Sequence, residues 1–170
     1  MLQSASSISS KHSSLPEIES ALDSCNAVFE RDFGPGHILN AGNMPDIVLM
    51  AKTHHGNVFG VVGLHFHEET RAWEIGTVSA MVRGTHNNVL RFLLNTEASV
   101  AIRRWYGEGD AWLVHRMKQR NLRLQASMKE IGFELPEHFL IGVMSDDGYV
   151  PFDPVDEVLM KKKVVFAVDP

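Results

Sequence analysis

Three consecutive segments rich in β-branched and apolar residues constrain the fold of this chain most strongly. The first two, 46–53 and 58–67, flank the turn-forming residues 54–57, an arrangement that predicts a hairpin of two buried strands. A charged turn at 68–71 leads into 73–82, where aromatic and β-branched residues again favour a strand. The sequence therefore predicts three antiparallel strands in succession.

Helical periodicity flanks these strands on both sides. Apolar residues recur at intervals of three and four between 17 and 32, and again from 88 to the break at Gly107, so each stretch predicts an amphipathic helix. The remaining segments predict, in order, a strand, a helix and two strands: 111–117, 122–131, 139–144 and 158–168.

This order of elements predicts a mixed α/β fold, with a mostly antiparallel central sheet flanked by helices. The 170 residues, 44% of them hydrophobic, suffice for one domain with its own core. No linker divides the later part of the chain, so we expect a single domain over 17–170. The first fifteen residues hold seven serines, and we expect residues 1–16 to be a flexible leader.

Composition narrows the functional classes. The formal net charge of −5 gives no general attraction to nucleic acid or to anionic membrane surfaces. Cys25 is the single cysteine, which excludes an internal disulfide and the paired-cysteine zinc sites. We therefore expect a cytoplasmic protein without nucleic-acid or membrane partners.

One motif surrounds the predicted helix 122–131. Asn121 precedes this helix and Gly132-Phe133 follows it, with Gly132 eleven positions after Asn121. A glycine there allows a left-handed helix cap, after which Phe133 can fold back onto the sheet. Together with the order of elements, this motif resembles the GNAT superfamily of acyl-CoA N-acyltransferases over about residues 17–168.

The resemblance implies the GNAT fold and transfer of an acetyl or other acyl group from acetyl-CoA or another acyl-CoA to an amine. It implies that Asn121 contacts the pantetheine arm of the cofactor or orders the neighbouring strand. It also implies that backbone N–H groups near the end of the third predicted strand face the acyl donor: Ala80, Met81 and Val82. Family members often dimerise, so a homodimer is expected as well.

The family's pyrophosphate loop, of the form Arg-x-x-Gly-x-Gly/Ala, precedes a long helix whose N-terminus faces the phosphates. Its counterpart here is Arg83, Gly84, Thr85, His86, Asn87 and Asn88. His86 and Asn88 stand where the family has small residues, and a histidine side chain would crowd the pyrophosphate. Three interpretations stay open: CoA binds with His86 turned outward, another acyl donor is used, or the site is vestigial.

Acyl transfer to an amine requires a base, and Glu74 and His115 are the candidates because family active sites open between their two strands. The alternatives are an outward-facing glutamate and an interior histidine bonded to backbone. Many family members carry a tyrosine acid where this chain has Met128. The adjacent Ser127 can donate a hydrogen bond there, so it is the third candidate catalytic residue.

His65 and His67 share one face of a predicted strand, but no third ligand accompanies them, so no metal is expected. Three functional hypotheses follow. The first is an N-acyltransferase whose acceptor is a small-molecule or protein amine. The second is a catalytically inactive GNAT-fold protein with a structural or interaction role. The third is an unrelated α/β binding domain.

Overall fold

The computed structural model describes residues 4–36, 38–80, 86–106, 111–135 and 150–164. Within these residues the strands are β1 Ser4–Ser9, β2 Ile47–Lys52, β3 Val58–His67, β4 Ala72–Ala80, β5 Ala111–Lys118 and β6 Glu157–Val164. The helices are α1 Leu15–Phe33, α2 His86–Phe92, α3 Ala98–Tyr106 and α4 Leu122–Ile131, with a π-helical turn at Leu93–Glu97.

The strands follow one another in a single sheet, in the order β1-β2-β3-β4-β5-β6. The pairs β1–β2, β2–β3 and β5–β6 are antiparallel, whereas β4–β5 is parallel. This mixed sheet with helices confirms the predicted fold class. The strand predicted at 139–144 lies outside the described residues, as does the end of the one predicted at 158–168.

The N-terminal segment differs from the expectation of a flexible leader. Ser4–Ser9 forms β1, which pairs with β2 from Ser4 opposite Lys52 to Ser9 opposite Ile47. Backbone hydrogen bonds to β2 do not depend on the serine side chains, and Ile8 supplies one buried apolar anchor. The segment was not predicted as a strand because its composition is polar, and one buried apolar residue together with the backbone ladder is enough to hold it in the sheet.

The chain divides into two compact units. The first comprises Met1–Leu64 and Gly76–Gly107. In it, α1 begins at a Ser14 cap, with Pro16 in its first turn, and ends at Gly34. Its apolar stripe joins side chains of β1, β2 and β3 in one core: Ile8, Ile18, Leu22, Cys25, Val28, Phe29, Val48, Met50 and Val61.

The predicted helix from 88 is present but is not regular. The π-helical turn Leu93–Glu97 separates α2 from α3, and the consecutive residues Leu93 and Leu94 are both buried. A π turn holds more residues than an α-helical turn, and the apolar stripe continues beyond it at Ala98 and Ile102.

The second unit comprises His65–Ile75 and Glu108–Pro170. A core of Ala72, Val114, Val150 and Leu159 lies on one sheet face of this unit. The predicted caps of α4 are present: the Asn121 side chain accepts a hydrogen bond from Leu124 N at 3.2 Å, and Gly132 is left-handed with φ of 114°. No helix in the described part of the chain is long and apolar enough to cross a membrane.

Candidate active site

The short parallel ladder between β4 and β5 positions the candidate site. Its pairs are Ala72 with Trp112, Trp73 with Leu113, and Glu74 with Val114. Glu74 therefore occupies the last pair, and β5 continues beyond it to Lys118. A side chain at this point stands where the hydrogen-bonded ladder between the two strands ends.

The Glu74 carboxylate is the centre of a charged cluster. The Nε2 atom of His67 lies 2.9 Å from its Oε1, and a guanidinium nitrogen of Arg116 lies 3.1 Å from its Oε2. Only 13% of the Glu74 side chain is exposed, against 36% for His67. Arg116 also donates to the carbonyl of Pro151 at 2.9 Å, so its guanidinium is held from two sides.

Strand alternation explains why these three residues meet. Because Glu74 pairs with Val114, the side chain of Arg116, two residues along β5, points to the same sheet face. The turn Glu68–Thr70, closed by a left-handed Arg71, returns the chain from β3 into β4. His67 thereby reaches Glu74.

The opposite face of the same hairpin is apolar. The ring of Phe66 stacks on that of Trp73, with centroids 4.6 Å apart. Both residues are direct sequence neighbours of the His67–Glu74 pair. The hairpin thus presents a charged pair on one face and an aromatic pair on the other, which fixes the face on which the charged pair lies.

The arrangement can hold and move a proton. When His67 donates its Nε2 hydrogen to Glu74, its other ring nitrogen keeps a lone pair that can accept a proton. Arg116 binds the second carboxylate oxygen and keeps Glu74 in place. The pair is mostly buried at the carboxylate and open to solvent at the imidazole.

His115 lies on the other face of the sheet from Glu74, because it is the neighbour of Val114 on β5. Burial lowers the pKa of His115 to about 4, although the nearby charge of Glu74 opposes the shift. Its Nδ1 atom is buried and has no hydrogen-bond partner among the described residues. His115 is therefore neutral near pH 7 and does not form a pair with Glu74.

The candidate residues on and next to α4 differ in their burial and their contacts. Ser127 is half-buried, and within the described residues no hydrogen bond or ion pair links it to Glu74 or His115. Met128 is 1% exposed, so it is a core residue. Asn121 uses its side-chain oxygen to cap α4. Among the described residues, no hydrogen bond or ion pair therefore joins Glu74, His115 and Ser127 to one another.

The predicted pyrophosphate loop falls mainly outside the described residues. Met81, Val82, Arg83, Gly84 and Thr85 all lie there, as do the side chains of Ala80, His86 and Asn87. The backbone at His86 begins α2, and Asn88 is exposed in its first turn. A helix therefore begins where the sequence places the phosphate-facing helix, two residues earlier than predicted.

Two members of the cluster, His67 and Arg116, were not among the predicted site residues. Their signal is positional: His67 and Glu74 flank a short turn, and Arg116 stands two residues beyond the strand position that pairs with Glu74. Reading that signal requires the β4–β5 register, which the sequence does not display. As to metals, the described residues contain no group of three or more His, Cys, Asp or Glu side chains that could hold an ion.

Solved structures similar to this chain include three acetyltransferases. Aminoglycoside 6′-acetyltransferase type Ii has a TM-score of 0.60 at 13% identity, covering 98% of this chain and 100% of that one. The ribosomal-protein-S18-alanine N-acetyltransferase of Escherichia coli has a TM-score of 0.54 at 11% identity, covering 98% and 97%. A GNAT-family acetyltransferase of Staphylococcus aureus Mu50 has a TM-score of 0.53 at 10% identity, covering 95% and 100%.

No family model matches the sequence, and no curated protein matches it. At identities of 10 to 13% the structural likeness establishes the fold alone. This chain has the GNAT acyl-CoA N-acyltransferase fold, which confirms the resemblance seen in the sequence.

Proposed function

We propose that this chain, a protein of the GNAT fold, is an N-acyltransferase that transfers an acetyl or other acyl group from acyl-CoA to an amine. In this proposal the domain predicted over 17–170 forms the catalytic domain together with β1 at Ser4–Ser9, which pairs with its sheet. The observation that carries it is the Glu74 carboxylate at the end of the β4–β5 ladder, bonded to His67 and Arg116.

The chemistry assigns a role to each residue of the cluster. An amine is protonated near neutral pH and must lose a proton before it can attack. The Glu74–His67 pair accepts that proton, and the partly exposed imidazole releases it to water. The amine nitrogen bonds to the acyl carbon while the carbon–sulfur bond breaks. The nitrogen releases its second proton to solvent as the amide forms, and CoA leaves as a thiolate that takes a proton from solvent. Arg116 is a positioning residue.

The described residues offer one place that fits the acyl donor. His115 lies directly after the last β4–β5 pair, and its buried Nδ1 has no partner among the described residues. A buried polar atom of this kind is stabilised by a hydrogen bond, and an amide of the pantetheine arm could supply one. In this proposal the acyl group lies between β4 and β5 where their ladder ends, so that His115 binds the pantetheine arm from one face and Glu74 takes the amine proton from the other.

The proposed chemistry requires the acceptor to be an amine and does not specify which amine. Aminoglycosides and a ribosomal-protein alanine, named for two of the similar structures, illustrate that this fold serves small-molecule and protein amines. We extend that range, a cytoplasmic location and a homodimeric state to this chain as parts of the same proposal.

A second candidate is a GNAT-fold protein without catalysis, acting as a structural or interaction module. Met128 favours it, because this residue is buried in the core at the position that the family resemblance gives to a tyrosine acid. In the enzyme proposal no tyrosine acid is needed, because the thiolate takes its proton from solvent.

The deciding experiment measures release of free thiol from acetyl-CoA in the presence of a panel of primary amines. With an accepted amine, Glu74→Gln should lower kcat by about 100-fold or more, since the base is lost. His67→Gln should lower kcat by about tenfold, because the carboxylate loses the imidazole that passes its proton to water. Glu19→Gln, on the exposed surface of α1, is the matched control and should leave kcat unchanged.

Full activity of the Glu74→Gln protein would overturn the assigned base. Absence of thiol release with every amine, together with absence of acetyl-CoA binding, would favour the non-catalytic module.

A further inference from the structure

The first compact unit contains a groove with a partly polar lining that has no role in the proposed acyl transfer. It has a volume of about 510 Å³ and lies between the first half of α1 and the ends of β1, β2 and β3. The α1 wall is made of small and hydroxyl-bearing residues, Ser20, Ala21 and Ser24. These side chains are short, so they leave space beside the sheet where larger ones would fill it.

The floor of the groove contains a hydroxyl group without a partner. Ser6 pairs with Met50 across the β1–β2 ladder, and Met50 belongs to the core under α1, so Ser6 faces the same side. Its Oγ atom is buried and makes no hydrogen bond within the described residues. A buried hydroxyl without a partner is destabilising, and a hydrogen bond from a ligand in the groove would offset that cost.

A lysine lines the same groove. Lys52 is two residues after Met50 on β2, so it points to the same face, and it lines the groove as Ser6 does. It is half-buried, and none of the described residues forms an ion pair with its ammonium. A cation and a hydroxyl donor that line one groove can together bind an oxyanion.

The rest of the lining limits the charge and shape of that ligand. Glu17 lines the same groove, and its carboxylate would repel a dianion such as a phosphate ester. Met50, Val58 and Ile8 provide apolar surface next to the polar floor. A ligand with one negative charge and an apolar body matches both features.

We propose that this groove binds a small monocarboxylate, with its carboxylate group on Lys52 and Ser6 and its apolar body against Met50 and Val58. The site is separate from the Glu74 cluster and does not depend on acyl transfer.

The test is a titration of the full-length, isotopically labelled protein with sodium hexanoate, followed by amide NMR shifts. We expect saturable shifts confined to residues 6–8, 17–24 and 50–58. Lys52→Met should weaken binding by at least about tenfold, and Ser6→Ala by about threefold. Lys129→Met, on the exposed surface of α4, is the matched control and should bind hexanoate as the parent does.

Ser20→Trp gives a second, independent variant, because the exposed Ser20 can be enlarged into the groove without disturbing the core, and binding should be lost. Hexylamine and inorganic phosphate serve as comparison probes and should each bind at least about tenfold more weakly than hexanoate. Absence of saturable shifts up to about 50 mM hexanoate, unchanged affinity in Lys52→Met, or tighter binding of either comparison probe would overturn the proposal. None of these results bears on thiol release at the Glu74 site.

Discussion

A neutral, buried imidazole couples the stability of this protein to pH at a single residue. Burial lowers the pKa of His115 from 6.5 to about 4, while the unfolded chain keeps the ordinary value. Between these two pH values the unfolded state binds more protons than the folded state, so stability falls as pH decreases. Above about pH 6.5 both states hold a neutral imidazole and the effect vanishes.

We therefore expect His115→Gln to change the acid limb of the stability profile. Between pH 7 and pH 4 the parent should lose about 3 kcal/mol through this residue, and the variant should not, because glutamine does not titrate. The measurement is urea unfolding of both proteins at several pH values, compared as the difference between them. His54→Gln, in the exposed turn between β2 and β3, should keep the parental profile. Parallel profiles for parent and His115→Gln would contradict the assignment.

The sequence predicts individual site residues where only the presence of a strand matters. It does not predict them where the pairing register between neighbouring strands decides which side chains meet. Glu74 and His115 were singled out because their strands were recognised, and both strands exist. Their separation onto opposite faces follows from the pairing of Glu74 with Val114, which composition and periodicity do not specify. The same missing register concealed His67 and Arg116, since each matters only as the neighbour of Glu74.

At the scale of elements, β1 shows how a strand escapes detection. Its six residues are SASSIS, and serine has no strong preference for strands. By contrast, β-branched and other apolar residues make β2 and β3 recognisable. What holds β1 in place is its ladder to β2 and the burial of Ile8, which is 7% exposed. Helix α4, by contrast, was predictable because its capping residues, Asn121 and Gly132, directly flank it in the sequence.

Substitution of Ile8 tests whether β1 contributes to stability. Ile8→Ala should cost about 2–4 kcal/mol, because it removes buried methyl groups from the core under α1. Ser4→Ala, at the exposed start of the same strand, should stay within about 0.5 kcal/mol of the parent. Chemical unfolding of the three proteins provides the comparison. Equal stability of all three would mean that residues 4–9 behave as the flexible leader that the composition suggests.

At the scale of the whole molecule, the order of elements carried more information than any single motif. The predicted order of a helix, three strands, a helix, a strand, a capped helix and two strands indicates a mixed α/β fold, because it admits few ways of burying each apolar face. It is this order together with Asn121 and Gly132-Phe133 that resembles the GNAT superfamily. The function is less determined. The family resemblance places His86 and Asn88 where small residues are usual in the pyrophosphate loop, and Met128 where a tyrosine acid is usual. Because one fold can host different functions, the fold alone does not establish acyl transfer.

Ligand-linked stability separates an active enzyme from an inactive relative at this scale. A ligand that binds only the folded state stabilises it by about 2.7 kcal/mol at one hundred times its Kd. If the proposed function holds, acetyl-CoA should raise the Tm of the full chain in a saturable way, and dephospho-CoA should do so less. His86→Trp should weaken the effect, because a larger ring at the start of α2 obstructs the approach of the pyrophosphate to the helix. Glu74→Gln should retain the full stabilisation, since its carboxylate is assigned to the proton and not to the donor. An unchanged Tm up to about 1 mM acetyl-CoA would instead make the chain a GNAT-fold module whose partner is not an acyl donor.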